Sequence, residues 1–127
     1  MSELPPSESD PLEAYRAQAV FCKTMGHPVR LQILDLLTRA GREVPSAELL
    51  QRTGVAKPCL SQHLARMVAA GLIRTRRVGR YLQVALTCPE VGVACHQVRA
   101  ALQQAKPGQH KADRASGVSG ETATGLS

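Results

Sequence analysis

A short stretch of the chain carries side chains suited to hydrogen bonding with base edges and phosphates. Gln62 can form a paired hydrogen bond with adenine, Arg66 can bind guanine or a phosphate, and Ser61 can contact either base. Lys57 stands where a helix is expected to begin and is better placed for a phosphate, whereas His63 can bond to DNA or within its own domain. A solvated helix face has a similar composition, so these residues alone leave both interpretations open.

Basic residues continue into a segment that is expected to form a β-hairpin. Residues 73–77 and 80–86 have the pattern of two strands around a tight turn at Val78-Gly79. Each phosphate neutralised there adds about −0.9 to the slope of log affinity against log salt concentration. A turn, a polar helix face and a basic hairpin in this order favour a DNA-binding surface over a merely solvated one. The hairpin arginines predicted to contact DNA are Arg76, Arg77 and Arg80, with Arg74 adding charge beside them.

Apolar spacing and helix-ending residues predict five helices that position this segment. Gly26 and Pro28 separate the first two helices, and Gly41 ends the second, which is the expected core helix. Ser46 is the expected N-cap of the third, and Gly54 supplies the turn into the fourth. The expected spans are 12–25, 28–40, 46–53, 57–70 and 89–105.

The apolar faces of these helices indicate which sides should pack inward. The second helix is apolar on most sides, and the other four each carry one apolar stripe. The stripes consist of Leu12, Tyr15, Ala19 and Cys22 in the first helix, Leu49 and Leu50 in the third, Leu60, Leu64, Met67 and Val68 in the fourth, and Val91, Cys95, Val98 and Leu102 in the fifth.

The order of elements predicts a mainly α fold with a small β-hairpin, a winged helix-turn-helix of about five helices and a two-stranded wing. Residues 12–105 form the expected DNA-binding and dimerisation domain. Residues 1–11 are polar, acidic and proline-rich, and residues 106–127 are small and polar, so a disordered arm and a disordered tail are expected on either side.

Charge and composition favour a polyanionic partner. The whole chain has a formal charge of +6, yet residues 22–84 hold eleven Lys and Arg against three Asp and Glu. No apolar run approaches the roughly 20 residues that cross a bilayer, and the N-terminus does not resemble a secretory signal. A cytoplasmic location without membrane contact is therefore expected, in which the four cysteines stay reduced.

The chain resembles the ArsR/SmtB family of bacterial winged-helix repressors over roughly residues 20–102. The resemblance rests on Lys23-Thr24-Met25-Gly26-His27-Pro28-Val29-Arg30-Leu31-Gln32-Ile33-Leu34, on Ser61-Gln62-His63-Leu64 and on Gly71-Leu72-Ile73. It implies a homodimer joined through the first and last helices, an inverted-repeat operator in double-stranded DNA, and an effector that releases the DNA. The family's cysteine motif in the third helix and the zinc pattern of its last helix have no counterpart here.

The cysteines provide the candidate effector site. In a dimer of this shape Cys22, Cys88 and Cys95 can converge, and three thiolates suit arsenite or a soft ion such as Zn²⁺ or Cd²⁺. Cys59 and Cys88 are candidates for redox chemistry. Cys88 lies near a helix N-terminus, where a thiol becomes more reactive, and oxidation of Cys59 would add polarity or bulk to the recognition helix. Simple packing of small apolar side chains is the competing interpretation for all four.

The predicted function is therefore an ArsR-type repressor that a thiol-directed effector, arsenite or a soft metal ion, releases from DNA. A redox- or persulfide-responsive repressor of the same fold is one alternative, and a winged-helix protein-interaction module without an effector site is another. An enzyme is not expected, because the sequence shows neither a catalytic constellation nor a phosphate-binding glycine loop.

Overall fold

The computed structural model describes residues 10–105, which form five helices and a three-stranded sheet. Within that range, no helix is long and apolar enough to cross a membrane. Apart from Asp10 and Pro11, the two segments expected to be disordered lie outside the described residues. The elements are α1 (Pro11–Thr24), α2 (Pro28–Ala40), β1 (Val44–Pro45), α3 (Ser46–Thr53), α4 (Lys57–Ala69), β2 (Ile73–Val78), β3 (Tyr81–Leu86) and α5 (Pro89–Ala105).

The winged helix-turn-helix architecture predicted from the sequence is confirmed. One compact unit contains the described residues up to Gly92, including every element but most of α5. The remainder of α5, from Val93 to Ala105, belongs to a second unit, in which Val98 and Leu102 are exposed and Cys95 is half-buried.

Capping residues set the ends of the first two helices. The carboxylate of Asp10 accepts a hydrogen bond from the backbone N–H of Glu13, so α1 begins at Pro11, one residue before the expected start. His27 plays the same part for α2, where its Nδ1 accepts from the Val29 N–H at 3.3 Å. Gly41 ends α2 in the left-handed conformation, as expected.

The entry to α3 differs from the expectation. Ser46 was the predicted N-cap, but the cap is Pro45 and Ser46 is the first helical residue, with no side-chain cap bond. The reason is β1, a two-residue strand that the sequence analysis missed and that leads directly into the helix. Gly54 ends α3 at φ +72° and makes the turn into α4, as predicted.

The sheet has the antiparallel order β1-β3-β2. Val78 pairs with Tyr81, so the hairpin turns at Gly79-Arg80, one residue later than the predicted Val78-Gly79. Gly79 has φ +63°, which a two-residue hairpin turn of the favoured hand requires at its first position. Val44 pairs with Val84 on the other side, which adds a third strand to the wing's sheet.

The core lies between α2, α3, α4 and the sheet. The predicted α4 stripe is confirmed at Leu60, Leu64 and Met67, but Val68 is 41% exposed because it lies on the side of α4 that borders the wing. No residue of α1 is buried, so the apolar stripe expected to pack inward is exposed in the single chain. The fully buried large side chains are Ile33, Leu34, Leu37, Leu49, Met67, Ile73 and Val84.

Candidate nucleic-acid interface

α4 and the hairpin border an open groove of about 670 Å³. α4 contributes Lys57 and Ser61 to this groove, and the wing contributes Arg77, Arg80 and Tyr81. All five of these side chains are exposed. The fold therefore brings the predicted DNA contacts Lys57 and Ser61 to the same groove as Arg77 and Arg80, which follow them by about twenty residues in the chain.

The outer face of α4 bears further polar side chains. Gln62 and Arg66 are exposed, while Leu60 and Leu64 on the opposite side are buried. This division follows from 3.6 residues per turn, which places the polar and apolar positions of 57–69 on different sides. The helix therefore exposes its polar face, while its apolar face packs into the core.

Strand alternation separates the wing arginines. Arg77 lines the groove, whereas Arg76 forms a two-pronged ion pair with Glu43, with Nε–Oε2 and Nη2–Oε1 distances of 2.6 and 2.9 Å. The hydrogen bond from Arg76 lowers the pKa of Glu43, and the same bond raises the pKa of Arg76. Among the ion pairs of residues 10–105, Arg76 has a carboxylate partner and Arg77 has none. Arg74 donates to the backbone oxygen of Leu86 at 2.9 Å.

His63 is turned toward α2 and makes a bond within its domain. Its Nδ1 accepts a hydrogen bond from Arg30 Nε at 3.1 Å, and its ring lies 4.4 Å from that of His27 in an edge-on arrangement. Burial, followed by the charges of His27 and Arg30, lowers the pKa of His63. Of the two roles that the sequence left open, the structure thus shows the intradomain bond. A contact with DNA stays a prediction.

The sequence analysis missed three residues at this surface: Arg30, Glu43 and Tyr81. Arg30 and Glu43 act across 33 residues, a separation at which sequence spacing carries no signal. Tyr81 is 57% exposed beside the groove, and its position directly after the hairpin turn, on the polar side of an alternating strand, could have indicated it.

No disulfide joins the four cysteines, which all lie among residues 10–105. Cys22, Cys59 and Cys88 are exposed, and Cys95 is half-buried. Cys88 Sγ donates a hydrogen bond to Glu90 Oε1 at 3.1 Å, which lowers the pKa of Glu90. Residues 10–105 of one chain contain no group of three or more His, Cys, Asp or Glu that could hold a metal ion. The predicted site at Cys22, Cys88 and Cys95 depends on a dimer and stays a prediction.

The polar helix face, the turn at Gly54 and the arginine-bearing hairpin together define a winged helix-turn-helix DNA-binding protein. A family model described as a helix-turn-helix domain matches residues 25–76. The HTH-type transcriptional regulator Rv0081 of Mycobacterium tuberculosis is 38% identical over 85 residues, which are 66% of this chain and 71% of that protein. This chain belongs to the ArsR/SmtB family of winged-helix transcriptional repressors.

Solved structures and a second relative agree with this assignment. The crystal structure of Rv0081 matches with a TM-score of 0.65 at 30% identity, covering 76% of this chain and 95% of that one. The transcriptional repressor BigR from Xylella fastidiosa matches with a TM-score of 0.64 at 28% identity, covering 74% and 94%. A probable mercury resistance operon repressor of Streptomyces lividans is 33% identical over 73 residues, 58% of this chain and 57% of that protein.

Proposed function

We propose that this chain represses transcription as a homodimer on an inverted-repeat operator, and that a thiol-directed effector releases it. Each copy inserts the outer face of α4 into the major groove, while the wing lies along the adjacent phosphates. A helix about 10–12 Å across fits a major groove about 12 Å wide. Membership of the family supports transcriptional repression alone. The operator, the homodimer and the effector are therefore what we propose.

One observation supports the DNA-binding mode above all others. Lys57 and Ser61 of α4 border one groove together with the wing arginines Arg77 and Arg80, and Gln62 and Arg66 are exposed on the same helix. Sequence-specific binding needs two kinds of contact, which are hydrogen bonds to base edges and charged contacts to phosphates. A protein-interaction module would have no use for this pairing of Gln62 and Arg66 with wing arginines.

Exposed apolar residues support the homodimer. α1 has no buried residue and exposes Leu12, Tyr15 and Val20, each by more than half of its surface. α5 exposes Val98 and Leu102, which lie on one face because they are four residues apart. Apolar surface of this extent on a small domain is typical of an interface with another chain.

Accessible thiols support a thiol-directed effector. Arsenite and soft metal ions bind thiolates in preference to oxygen ligands, and the Streptomyces relative is named for mercury resistance. Cys22, Cys88 and Cys95 are the proposed ligands. The redox alternative gains support from Cys59, which is exposed on α4 itself, where an added oxygen or sulfur would alter the DNA-facing helix.

The DNA-binding mode is tested with a duplex that carries the chain's own promoter. We expect Gln62→Ala to weaken specific binding by about 1–3 kcal/mol, the value of one bidentate base contact. Gln32→Ala is the matched control, because Gln32 is equally exposed on α2 and bonds only to the Arg52 carbonyl among the described hydrogen bonds. Equal affinities of the two variants in fluorescence anisotropy would contradict the assigned reading face.

The effector is tested by adding arsenite, Cd²⁺, Zn²⁺ and a persulfide donor separately to the complex with the promoter. Release by arsenite or Cd²⁺ that disappears in Cys22→Ser or Cys88→Ser supports the metalloid site. Release by the persulfide donor alone supports the redox alternative. Undiminished release from a variant in which all four cysteines are serine would contradict both.

A further inference from the structure

Arg30 joins three segments of the fold through one guanidinium group. Its Nε donates to Nδ1 of His63 on α4 at 3.1 Å, and its Nη1 donates to the backbone oxygen of Thr24 at 2.9 Å. Arg30 itself lies in the first turn of α2, and Thr24 is the last residue of α1. The bond to Thr24 therefore also places a positive charge at the C-terminal end of α1, where helix carbonyls are otherwise unpaired.

His27 adds a second contact at the same junction. Its ring packs edge-on against the ring of His63 at a centroid distance of 4.4 Å. Its Nδ1 accepts from the Val29 N–H, which caps α2 beside Arg30. Arg30, His27 and His63, here called the junction triad, thus hold the middle of α4 against the start of α2.

Within the triad, Nδ1 of His63 acts as the acceptor of the bond from Arg30. An imidazole nitrogen accepts a hydrogen bond only when it carries no proton, so the bond from Arg30 requires the His63 ring to be neutral with its proton on Nε2. A proton added to Nδ1 of His63 removes the bond from Arg30 and places two cations about 3 Å apart. The contact is therefore sensitive to protonation by its geometry.

The charged surroundings of His63 reinforce this sensitivity. From α2 and its cap it faces Arg30 and His27, and its nearest titratable neighbours on α4 are Cys59, four residues before it, and Arg66, three residues after it. No carboxylate is among the groups that shift its pKa. Burial and positive charge act in the same direction and lower that pKa.

We propose that the junction triad is a positioning device for the recognition helix, and that protonation of His63 releases it and weakens DNA binding. Gln62 and Arg66, which contact DNA in the proposed function on which this inference rests, lie within one turn of His63. A displacement of His63 therefore moves both. Arg30 and His63 are positioning residues here, because their contacts are within the protein.

The direction of the pH dependence follows from the lowered pKa of His63. In the folded chain with the triad intact, His63 binds a proton less readily than in the unfolded chain. The contribution of the triad to folding stability is therefore fully present above pH 6.5, the ordinary pKa of histidine. This contribution to stability declines as the pH falls below 6.5, and it is lost as the pH passes through the lower pKa that His63 has in the folded chain. DNA affinity should decline as the pH falls through the lowered pKa of His63 in the free folded chain, although added positive charge alone would strengthen binding to a polyanion.

The test compares the wild type with His63→Gln at constant ionic strength. A glutamine oxygen can accept the bond from Arg30 but cannot take up a proton in this range. On the promoter duplex we expect the wild type to lose several-fold more affinity than His63→Gln between about pH 7.5 and pH 5.5, because one unit of pKa difference between bound and free protein gives at most about tenfold. His96→Gln is the matched control, because His96 also contacts an arginine, Arg99 at 2.9 Å, but lies on α5.

A wild type and a His63→Gln variant with parallel pH profiles would overturn the inference, as would a His96→Gln variant that also removes the decline. An absence of promoter binding by every variant at either pH would instead contradict the proposed function. In that case, NMR of the His63 ring in the free protein tests the junction triad without DNA. We expect the Nε2–H tautomer at neutral pH and a raised pKa in Arg30→Ala, and a ring protonated on Nδ1 at neutral pH would overturn the inference.

Discussion

Arg76 and Arg77 are neighbours in the wing but have different surroundings, so we expect their substitutions to affect DNA binding differently. Arg76 and Arg77 carry the same charge and follow one another in β2, but alternation along the strand places them on different faces. Arg76 is held by the Glu43 carboxylate, whereas Arg77 lines the groove beside α4. Arg76 is therefore already paired with a carboxylate in the free protein.

We therefore expect Arg77→Ala to weaken promoter binding more than Arg76→Ala does. Loss of Arg77 should reduce the magnitude of the slope of log affinity against log salt concentration by about 0.9, the value of one phosphate contact, and loss of Arg76 should leave the slope nearly unchanged. Affinities measured at several salt concentrations provide the check. Equal slopes for the two variants would show that both arginines, or neither, contact phosphate.

Helical periodicity was sufficient to predict which face of α4 is polar, because the positions of Gln62 and Arg66 relative to Leu60 and Leu64 follow from sequence spacing alone. The partners of individual side chains were not predictable in this way. The bonds from Arg30 to His63 and from Arg76 to Glu43 each join residues 33 positions apart. Such pairs depend on how the elements pack, and local propensity carries no information about that.

At the scale of elements, the C-terminal ends of α2 and α3 followed from glycine chemistry, whereas the N-cap of α3 and the details of the sheet did not. Gly41 and Gly54 ended their helices as expected because a left-handed residue there is strained for any side chain but favourable for glycine. β1 was missed because two residues have no detectable periodicity and become a strand only by pairing with β3. The one-residue error in the hairpin turn also reflects pairing, since the register of β2 and β3 sets it.

The first turn of α5 approaches α2 at a position that only glycine allows. A Cβ built on Gly92 would collide with Oγ1 of Thr38 and stand 3.0 Å from its Cβ. We expect Gly92→Ala to reduce the free energy of unfolding by about 1–3 kcal/mol through overpacking, although alanine favours a helix. Urea denaturation monitored by circular dichroism measures this change.

Two further variants separate overpacking from other causes. Thr38→Ala removes the colliding oxygen and one methyl group, so the Gly92→Ala/Thr38→Ala double variant should recover most of the lost stability. Gly26→Ala is the matched control, because the nearest atoms to a Cβ there stand at 3.4 and 3.5 Å and allow it. A double variant that is no more stable than Gly92→Ala would contradict the close approach of Gly92 to Thr38.

At the scale of the whole molecule, exposed apolar residues of α1 and α5 lead us to expect a second copy of the chain. Leu102 is 61% exposed on α5, and Leu102→Glu should place a charge in the proposed dimer interface and shift the protein to a monomer. Val78→Glu, on the exposed strand of the wing, should leave the dimer intact. Sedimentation equilibrium measures both. A monomeric wild type at micromolar concentration would contradict the dimer.

The claim on which the account depends is that α4 and the wing tip together form the DNA-contacting surface. Titration of isotope-labelled protein with the promoter duplex, followed by backbone amide NMR, tests this claim most directly. We predict that the largest chemical-shift changes fall on residues 57–66 and on residues 77–81. Changes confined to α1 or to the C-terminal half of α2, with those two regions unaffected, would contradict the claim.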